Sequence, residues 1–397
     1  MPGPVNTPLI SRRKAMAYAN QVTPGTAIAL TSADCIDVSS VSFTPNSQTT
    51  QDPRYSGTIH RPGDQLRGVN YDVTFEWLIH GYSGAIPAAG AFLPGRVLIG
   101  LGFTEQRIAT AIGPEAYTAG GTTGLTLGTT AVGTAGLYKG AAISLTGIGA
   151  APLGLAMIRD YTAGKIATLA RDRALAATGS YSIPPQLAYV LSSVAPVAGA
   201  SITLWEDGHR MNFRDMVPTS GRIELVTASR EGGDNFCKIS ATFSGTLYSE
   251  ADEACPTVPI TIPIPSFRDG QHDVALKQIG GSSVTIDLGV RSAYPPNPNQ
   301  LDGSDPGVLV ETRRTVSYEL NKVQRSVVDF NALALAQTNH PFQALWGLSS
   351  GNYMGVLIDN QRFNYRSSAE GQDFITTSGD AWIDGVDKAI ALTFIGY

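Results

Sequence analysis

Charge is scarce in this sequence: Asp, Glu, Lys and Arg together make up 15% of the 397 residues, against roughly 25% in typical soluble domains. The formal net charge is −5, and the one local basic cluster, Arg12-Arg13-Lys14, lies near the N-terminus. A protein that reads nucleic-acid sequence needs clustered Lys and Arg to neutralise phosphates, so this class is excluded. Low charge with many Thr, Ser, Gly and Val residues favours a β-rich subunit of an assembly.

Residues that build metal and catalytic sites are also few. The three cysteines, Cys35, Cys237 and Cys255, have no CxxC spacing and are odd in number, so neither a disulfide framework nor a zinc site is expected. The five histidines show no HxxxH or HExxH spacing. There is no GxSxG elbow and no Cys–His signature. We therefore expect no enzyme activity, no cofactor and no metal.

Long apolar segments are nearly absent. Residues 1–20 lack the apolar core of a signal peptide. Residues 140–158 carry no charge and are long enough to span a membrane, but their glycines and Pro152 favour strand, turn and strand. We expect no membrane association.

What the sequence does contain is an internal repeat, which is the first feature to seek in fold prediction. Asp72-Val73-Thr74-Phe75-Glu76-Trp77 resembles Thr315-Val316-Ser317-Tyr318-Glu319-Leu320, and Ser39–Ser42 resembles Ser282–Thr285 at the same offset. Three further pairs follow in the same order: Pro94–Leu101 with Pro341–Leu348, Asp207–Phe213 with Asp359–Tyr365, and Ala241–Gly245 with Leu392–Gly396. These pairs predict two copies of one domain.

The predicted fold is mainly β, with two tandem β-sandwich or barrel domains and a small all-β insertion. The N-terminal arm covers 1–22, the first domain 23–117 and 186–250, the insertion 118–185, a Pro-rich linker 251–265, and the second domain 266–397. Short strands separated by Gly, Asp and Thr turns predict the insertion. Each tandem domain should carry a short helix with Pro94 or Pro341 in its first turn, where a missing N–H costs little.

Strand alternation predicts a polar face in each copy. Period-two alternation places Asp72, Thr74 and Glu76 on one face, and Ser317 and Glu319 on the matching face of the second copy. A long loop rich in Pro and Gly precedes each strand, over 44–68 and 291–310. Ordered loops of this length usually have a function. The candidate contact residues in these loops are Gln51, Asp52, Arg54, Tyr55, Arg61, Asn297, Asn299 and Asp302.

The order of these features resembles the tail tube protein of long, non-contractile bacteriophage tails. The resemblance rests on strand, long loop, strand, a short helix near Leu93-Pro94, and the late run Gly221 to Tyr248, and it covers most of the chain outside 118–185. That segment is similar to a small β-module of phage structural proteins, through Tyr138-Lys139-Gly140 and Ile158-Arg159-Asp160-Tyr161. The resemblance implies β-sandwiches that form six-fold rings, stacked into a tube through which genome DNA leaves. Two tandem copies imply rings of three chains.

The resemblance also implies partners and a location. The chain would associate with itself as homotrimeric rings in the virion tail, after assembly in the host cytoplasm. The tape measure protein and double-stranded DNA would occupy the lumen without sequence-specific binding, and tail terminator and distal tail proteins would contact the tube. In this interpretation Asp72, Thr74, Glu76, Ser317 and Glu319 line the lumen, and the long loops reach the neighbouring ring.

Two alternatives remain open from the sequence. Another phage tail ring protein, such as a distal tail, terminator or hub protein, would differ in its copy number per particle. A carbohydrate-binding β-sandwich would need a signal peptide and a groove of exposed aromatic side chains.

Overall fold

The structure, a computed structural model, is mainly β, which confirms the predicted fold class in its coarse form. It describes residues 14–50, 65–82, 84–119, 121–146, 155–172, 178–192, 198–226, 236–260, 271–274, 276–279, 283–296, 307–309, 316–324, 330–346, 353–363, 367–368, 374–381 and 390–396. These ranges contain 26 strands and two α-helices. No helix in them is long and apolar enough to cross a membrane.

We call residues 14–108 and 186–252 the N-half, and residues 271–396 the C-half. The N-half comprises β1 (Lys14–Asn20), β2 (Cys35–Ile36), β3 (Val38–Thr50), β4 (Gln65–Leu78), α1 (Leu93–Gly100), β5 (Phe103–Ile108), and then β12 (Gln186–Leu191), β13 (Ala200–Glu206), β14 (His209–Val226) and β15 (Lys238–Asp252). Between β5 and β12 lie β6 (Ile112–Ala119), β7 (Gly124–Thr126), β8 (Ala142–Leu145), β9 (Leu155–Tyr161), β10 (Ile166–Leu169) and β11 (Thr178–Ile183).

The C-half begins with short strands and ends with long ones. It comprises β16 (Gln271–Val274), β17 (Lys277–Ile279), β18 (Ser283–Asp287), β19 (Ser292–Ala293), β20 (Val308–Leu309), β21 (Val316–Gln324), α2 (Phe330–Ala336), β22 (His340–Trp346), β23 (Tyr353–Phe363), β24 (Ser367–Ser368), β25 (Phe374–Ala381) and β26 (Ile390–Ile395).

One antiparallel sheet, which we call the first sheet, runs through both halves. Its strands follow the order β3-β4-β15-β14-β18-β21-β25, and β25 also pairs with β24 and with the end of β23. The junction between the halves is the pairing of Arg222–Val226 in β14 with Ser283–Asp287 in β18. The halves are therefore joined by backbone hydrogen bonds.

A second layer covers the inner face of the first sheet. In the N-half it follows β2-β1-β13-β14, and in the C-half it follows β17-β16-β22-β23-β26-β12-β5. Strands β5 and β12 belong to the N-half but extend the sheet of the C-half, which makes β12–β26 a second junction. Trp77, Phe243, Ile286 and Phe394 lie in one buried cluster, so the two halves share one core.

The alternation predicted for β4 is confirmed. Val73, Phe75 and Trp77 are at most 1% exposed, whereas Thr74 is exposed and Glu76 is partly exposed. Phe75 stacks between Trp77 and Phe243, with ring centroids 5.8 Å apart in both pairs. Burying such rings contributes strongly to the stability of a core.

The helix predicted around Pro94 is present, but the one predicted around Pro341 is wrong. Pro94 lies in the first turn of α1. Pro341 instead lies in β22, and α2 ends before it at Ala336. The register of β22 shifts between His340 and Phe342, so Pro341 occupies an irregularity where a missing N–H is tolerated. Residues 341–345 are all buried between β16 and β23, which leaves no polar face for a surface helix.

The last repeat pair does not occupy equivalent positions in the sheets. Ala241 pairs with Phe75 of β4 in the first sheet. Strand β26, which holds Leu392–Ile395, pairs with β23 and β12 in the second layer. The place beside β21 that corresponds to β15 beside β4 is taken by β25.

Strands β6 to β11 form a closed six-stranded barrel with its own core. The order around the barrel is β10-β7-β6-β11-β8-β9. Its buried side chains include Tyr117, Leu125, Ile143, Ile158 and Tyr181. All six strands come from one continuous stretch between β5 and β12, and these two strands pair with each other.

Buried polar contacts hold the barrel against the C-half. Lys139 Nζ lies 2.5 Å from Asp359 Oδ2, and Arg159 pairs with the other oxygen of the same carboxylate. Beside them, the amide of Met157 donates to Gln343 Oε1 at 2.9 Å, and Gln343 Nε2 donates to Asp273 Oδ2 at 2.7 Å. These contacts fix one orientation of the barrel, because buried polar groups are costly when separated.

Within the barrel, the carboxylate of Glu115 holds one loop closed. It accepts hydrogen bonds from the amides of Thr129 and Thr130 at 2.6 and 3.0 Å, from both threonine hydroxyls at 2.7 and 2.6 Å, and from the Tyr181 hydroxyl at 3.0 Å. The hydroxyls of Thr130 and Thr129, followed by the Thr130 amide, lower the pKa of Glu115 to about 2. Hydrogen bonds to the charged form of a carboxylate have this effect.

We expect the barrel to lose stability as the pH falls through the window between the ordinary glutamate pKa of 4.5 and the lowered value of about 2. The sign follows because a lowered folded-state pKa stabilises the fold above the unfolded pKa, and protonation removes that contribution. Glu115→Gln should be less stable than the natural protein at pH 7 and should show a flatter response to acid. Thermal unfolding from pH 7 to pH 2 measures this, with exposed Asp252→Asn as the control. Identical acid responses in Glu115→Gln and the natural protein would contradict the interpretation.

Candidate functional site: the polar face of the first sheet

The outer face of the first sheet is polar from one side of the sheet to the other. Residues that lie directly opposite each other in neighbouring strands share a face. One such cross-strand row contains Ser40, Glu76, Ser240, Arg222, Asp287, position 317 and position 380. A second row contains Lys238, Glu224, Thr285, position 319 and position 378, and a third contains Ser42, Thr74, Thr242 and Ser220. We call this surface the polar face.

The five residues predicted to line a lumen all occupy positions on the polar face. Asp72, Thr74 and Glu76 lie on β4, and positions 317 and 319 lie on β21. Three strands, β15, β14 and β18, lie between β4 and β21, and the junction between the halves falls between β14 and β18. The structure thus brings residues from both halves to one face of one sheet. Their role as lumen residues stays a prediction.

Cations missed by the sequence prediction neutralise part of this face. Lys238 Nζ lies 3.2 Å from Glu76 Oε1 and 3.4 Å from Glu224 Oε2, and Arg222 Nε lies 3.0 Å from Glu224 Oε1. Partial burial opposes the charge of Lys238, but the hydrogen bond that Lys238 donates to Glu76 and the charges of Glu224 and Glu76 outweigh this effect and raise the pKa of Lys238. The side chains of these pairs are between 25% and 53% exposed, so each pair contributes at most about 1 kcal/mol.

The described side chains of the polar face are acidic on balance, although most of their charges have partners. Among the described side chains, the carboxylates of Asp72, Glu76, Glu224 and Asp287 outnumber the cations of Arg222 and Lys238. Asn46 donates a hydrogen bond to Asp72, and the hydroxyls of Thr74 and Thr242 lie 3.0 Å apart. The alternation of charged and apolar residues over Arg222–Leu225 predicted the strand β14. It could not indicate which charges lie beside Arg222 and Glu224, because the residues opposite them belong to strands that are distant in the chain.

Strand β3 is an edge strand of the first sheet, because within the described part of the chain it pairs only with β4. Strand β3 pairs with β4 along Val38–Thr50. Ser39, Ser40, Ser42 and Thr44 of β3 are exposed. An uncovered edge strand presents backbone groups that can pair with another chain.

The loop predicted over 44–68 is wrong at both ends, because β3 continues to Thr50 and β4 begins at Gln65. The predicted loop contacts lie outside the described residues. This holds for Gln51, Asp52, Arg54, Tyr55, Arg61, Asn297, Asn299 and Asp302, and for the first thirteen residues of the N-terminal arm. Within the described ranges, no group of three or more His, Cys, Asp or Glu side chains is placed to hold a metal ion.

The chain was also compared with known proteins. No model of a known protein family matches it, and no curated protein sequence matches it.

Proposed function

We propose that this protein is the structural subunit of a phage tail tube, in which three chains form each ring and each chain supplies two neighbouring segments of the ring wall. The supporting observation is a repeated strand order in the first sheet. The N-half contributes β3-β4-β15-β14, and the C-half contributes β18-β21-β25-β23 in the same order and with the same antiparallel pairing. This proposal treats the two halves as tandem copies and the six-stranded barrel as an insertion into the first copy.

The repeat in sequence and the repeat in strand order agree at the central strands. Phe75 of β4 and Tyr318 of β21 occupy matching places in the similar hexapeptides, and their neighbours across the sheet are Ala241 in β15 and Gly379 in β25. The register between the first two strands of each copy differs by two residues, because Val41 faces Phe75 while Ile286 faces Tyr318. A shift by two keeps every side chain on its face of the sheet.

The junction inside the chain suggests how separate chains join. Within one chain, the last strand of the N-half in the first sheet, β14, pairs with the first strand of the C-half, β18. In the repeated order, β3 is the first strand of the N-half and β18 is the first strand of the C-half. The last position is held by β14 in the N-half, and by the last residues of β23 together with β24 in the C-half. We infer that β3 of one chain pairs with the β23–β24 side of the next. Six four-stranded units then close into a barrel, which removes the exposed edges.

In this arrangement the polar face lines the bore, and its chemistry suits the passage of DNA. Double-stranded DNA carries about one negative charge per 1.7 Å of helix axis. The excess of carboxylates repels phosphates, and Lys238 and Arg222 are already engaged by Glu76 and Glu224. The described side chains of the polar face therefore offer no cluster of available cations to which DNA could adhere.

Cysteine cross-linking tests the proposed junction. In a background with the three natural cysteines replaced by serine, Ser39→Cys or Ser40→Cys on β3 is combined with Ser367→Cys on β24. A short bismaleimide reagent should then link assembled chains into dimers and trimers, because the two strands meet only between chains. Single-cysteine variants serve as controls and should leave monomers in denaturing electrophoresis. Double variants that also give monomers only, from assembled protein, would contradict this junction.

A further inference from the structure

Two of the three cysteines converge on one small apolar cluster, although they are distant in the sequence. Cys35 begins β2 and is 5% exposed, and Cys255 lies in the segment 253–260 that follows β15. Cys35 belongs to a cluster with Ala15, Ala17, Leu30 and Trp205, and Cys255 packs against the same cluster. Both are reduced in the structure.

The two thiols differ in their access to solutes. Cys255 lines an open cavity of about 470 Å³ together with Lys14, Asp207, Gly208, Ala254, Pro256 and Thr257. A dissolved reagent can therefore reach Cys255, whereas Cys35 is buried in the cluster and does not line the cavity. Burial, with smaller effects of Cys255 and Asp34, raises the pKa of Cys35 to about 11. The effect of Cys255 on this pKa agrees with the packing of both side chains on the same cluster.

We propose that Cys255 and Cys35 form a redox-sensitive pair that closes into a disulfide when the protein meets a small disulfide oxidant such as oxidised glutathione. The Cys255 thiolate attacks one sulfur of oxidised glutathione, which gives a mixed disulfide and releases one glutathione. Cys35 then loses its proton and attacks the Cys255 sulfur, which forms the protein disulfide and releases the second glutathione. Two protein thiols are oxidised and one glutathione disulfide is reduced. The second step should accelerate with rising pH because the thiolate of Cys35 is the nucleophile.

The disulfide would tie together parts of the fold that are otherwise in non-covalent contact. The segment 253–260 follows the last strand of the N-half, and Cys35 lies on β2 at the side of the second layer. A cross-link between residues so far apart in sequence restricts the unfolded chain strongly, so oxidation should raise the melting temperature. If the proposed function holds, the bond would form after a particle leaves the reducing host cytoplasm.

The third cysteine provides a matched control. Cys237 is fully buried in the main core, and its thiol donates to the Val226 carbonyl oxygen at 3.9 Å. Burial raises the pKa of Cys237 to about 12. Cys237 should not react with the oxidant in the folded protein, and Cys237→Ser should behave as the natural protein does.

The test is treatment of the folded full chain with oxidised glutathione, followed by thiol titration, intact mass and peptide mapping. We expect the loss of two thiols, a mass lower by two hydrogen atoms, and a linked peptide pair that contains Cys35 and Cys255. Cys35→Ser should stop at the mixed disulfide on Cys255, and Cys255→Ser should not react. Should a serine variant fail to fold, prior alkylation of Cys255 in the natural protein replaces it and should block the bond.

Two outcomes would overturn the proposal. One is a natural protein that keeps a stable mixed disulfide on Cys255 without loss of the Cys35 thiol. The other is a disulfide that joins two chains through Cys255 instead of forming within one chain. Neither outcome bears on whether the protein forms a tube, since the assay needs only the folded monomer.

Discussion

Replacement of Asp359 by alanine should destabilise the protein by about 3 kcal/mol or more, since removing one partner of a buried ion pair leaves the other charge uncompensated. Here one carboxylate serves two cations, Lys139 and Arg159, and its side chain is 8% exposed. Both cations come from the barrel, whereas Asp359 lies on β23 of the C-half. The variant should therefore also loosen the attachment of the barrel.

Chemical denaturation gives the loss of stability, and amide hydrogen exchange at β8 and β9 shows whether the barrel opens locally. Asp160→Ala is a suitable control, because Asp160 is an exposed carboxylate next to Arg159 on the same strand. Its effect should stay below about 1 kcal/mol. If Asp359→Ala and Asp160→Ala cost the same, the ion-pair interface does not anchor the barrel.

Deletion of residues 51–62 should abolish tube formation completely while leaving a soluble, folded protein. The segment connects β3 to β4, and the sequence predicts that it reaches the neighbouring ring. Long insertions in surface loops contribute little to the stability of a fold, so their removal is well tolerated by the rest of the chain. Electron microscopy scores the tubes, and thermal unfolding checks the fold.

A Gly/Ser replacement of equal length separates the effects of loop length and side chains. If Gln51, Asp52, Arg54, Tyr55 and Arg61 make the contacts, this replacement should also prevent tubes. Tubes of normal length from the deletion variant would refute the proposed inter-ring role of the loop. Rings without tubes would agree with it, because ring closure uses β3 and not the loop.

The local sequence pattern was sufficient to predict strands in which polar and apolar residues alternate. Thr74 and Glu76 alternate with Phe75 and Trp77, and this period of two fixes which face is buried, whatever the partner strands are. Four short strands of the insertion predicted at 118–185 were likewise recognisable, namely those that contain Ile143, Ile158, Ile166 and Tyr181, whereas β6 and β7 were not. Their closure into a barrel depends on pairings such as β10–β7 and β11–β8, which no single stretch encodes.

Other features depended on residues that are distant in the chain. Lys238 approaches Glu76 because β15 pairs with β4, and nothing near Glu76 in the sequence indicates this neighbour. Pro341 led to the wrong prediction of a helix, because proline is favourable both in the first turn of a helix and at an irregular start of a strand. The tertiary pairing of β22 between β16 and β23 decided between them.

Cryo-electron microscopy of the purified, assembled protein can show whether each chain supplies two neighbouring segments of a closed ring. We expect stacked rings of three chains, in which β3 of each chain lies against the β23–β24 side of its neighbour and Glu76 faces an open bore. A protein that stays monomeric at high concentration, or rings in which the polar face turns outward, would contradict it.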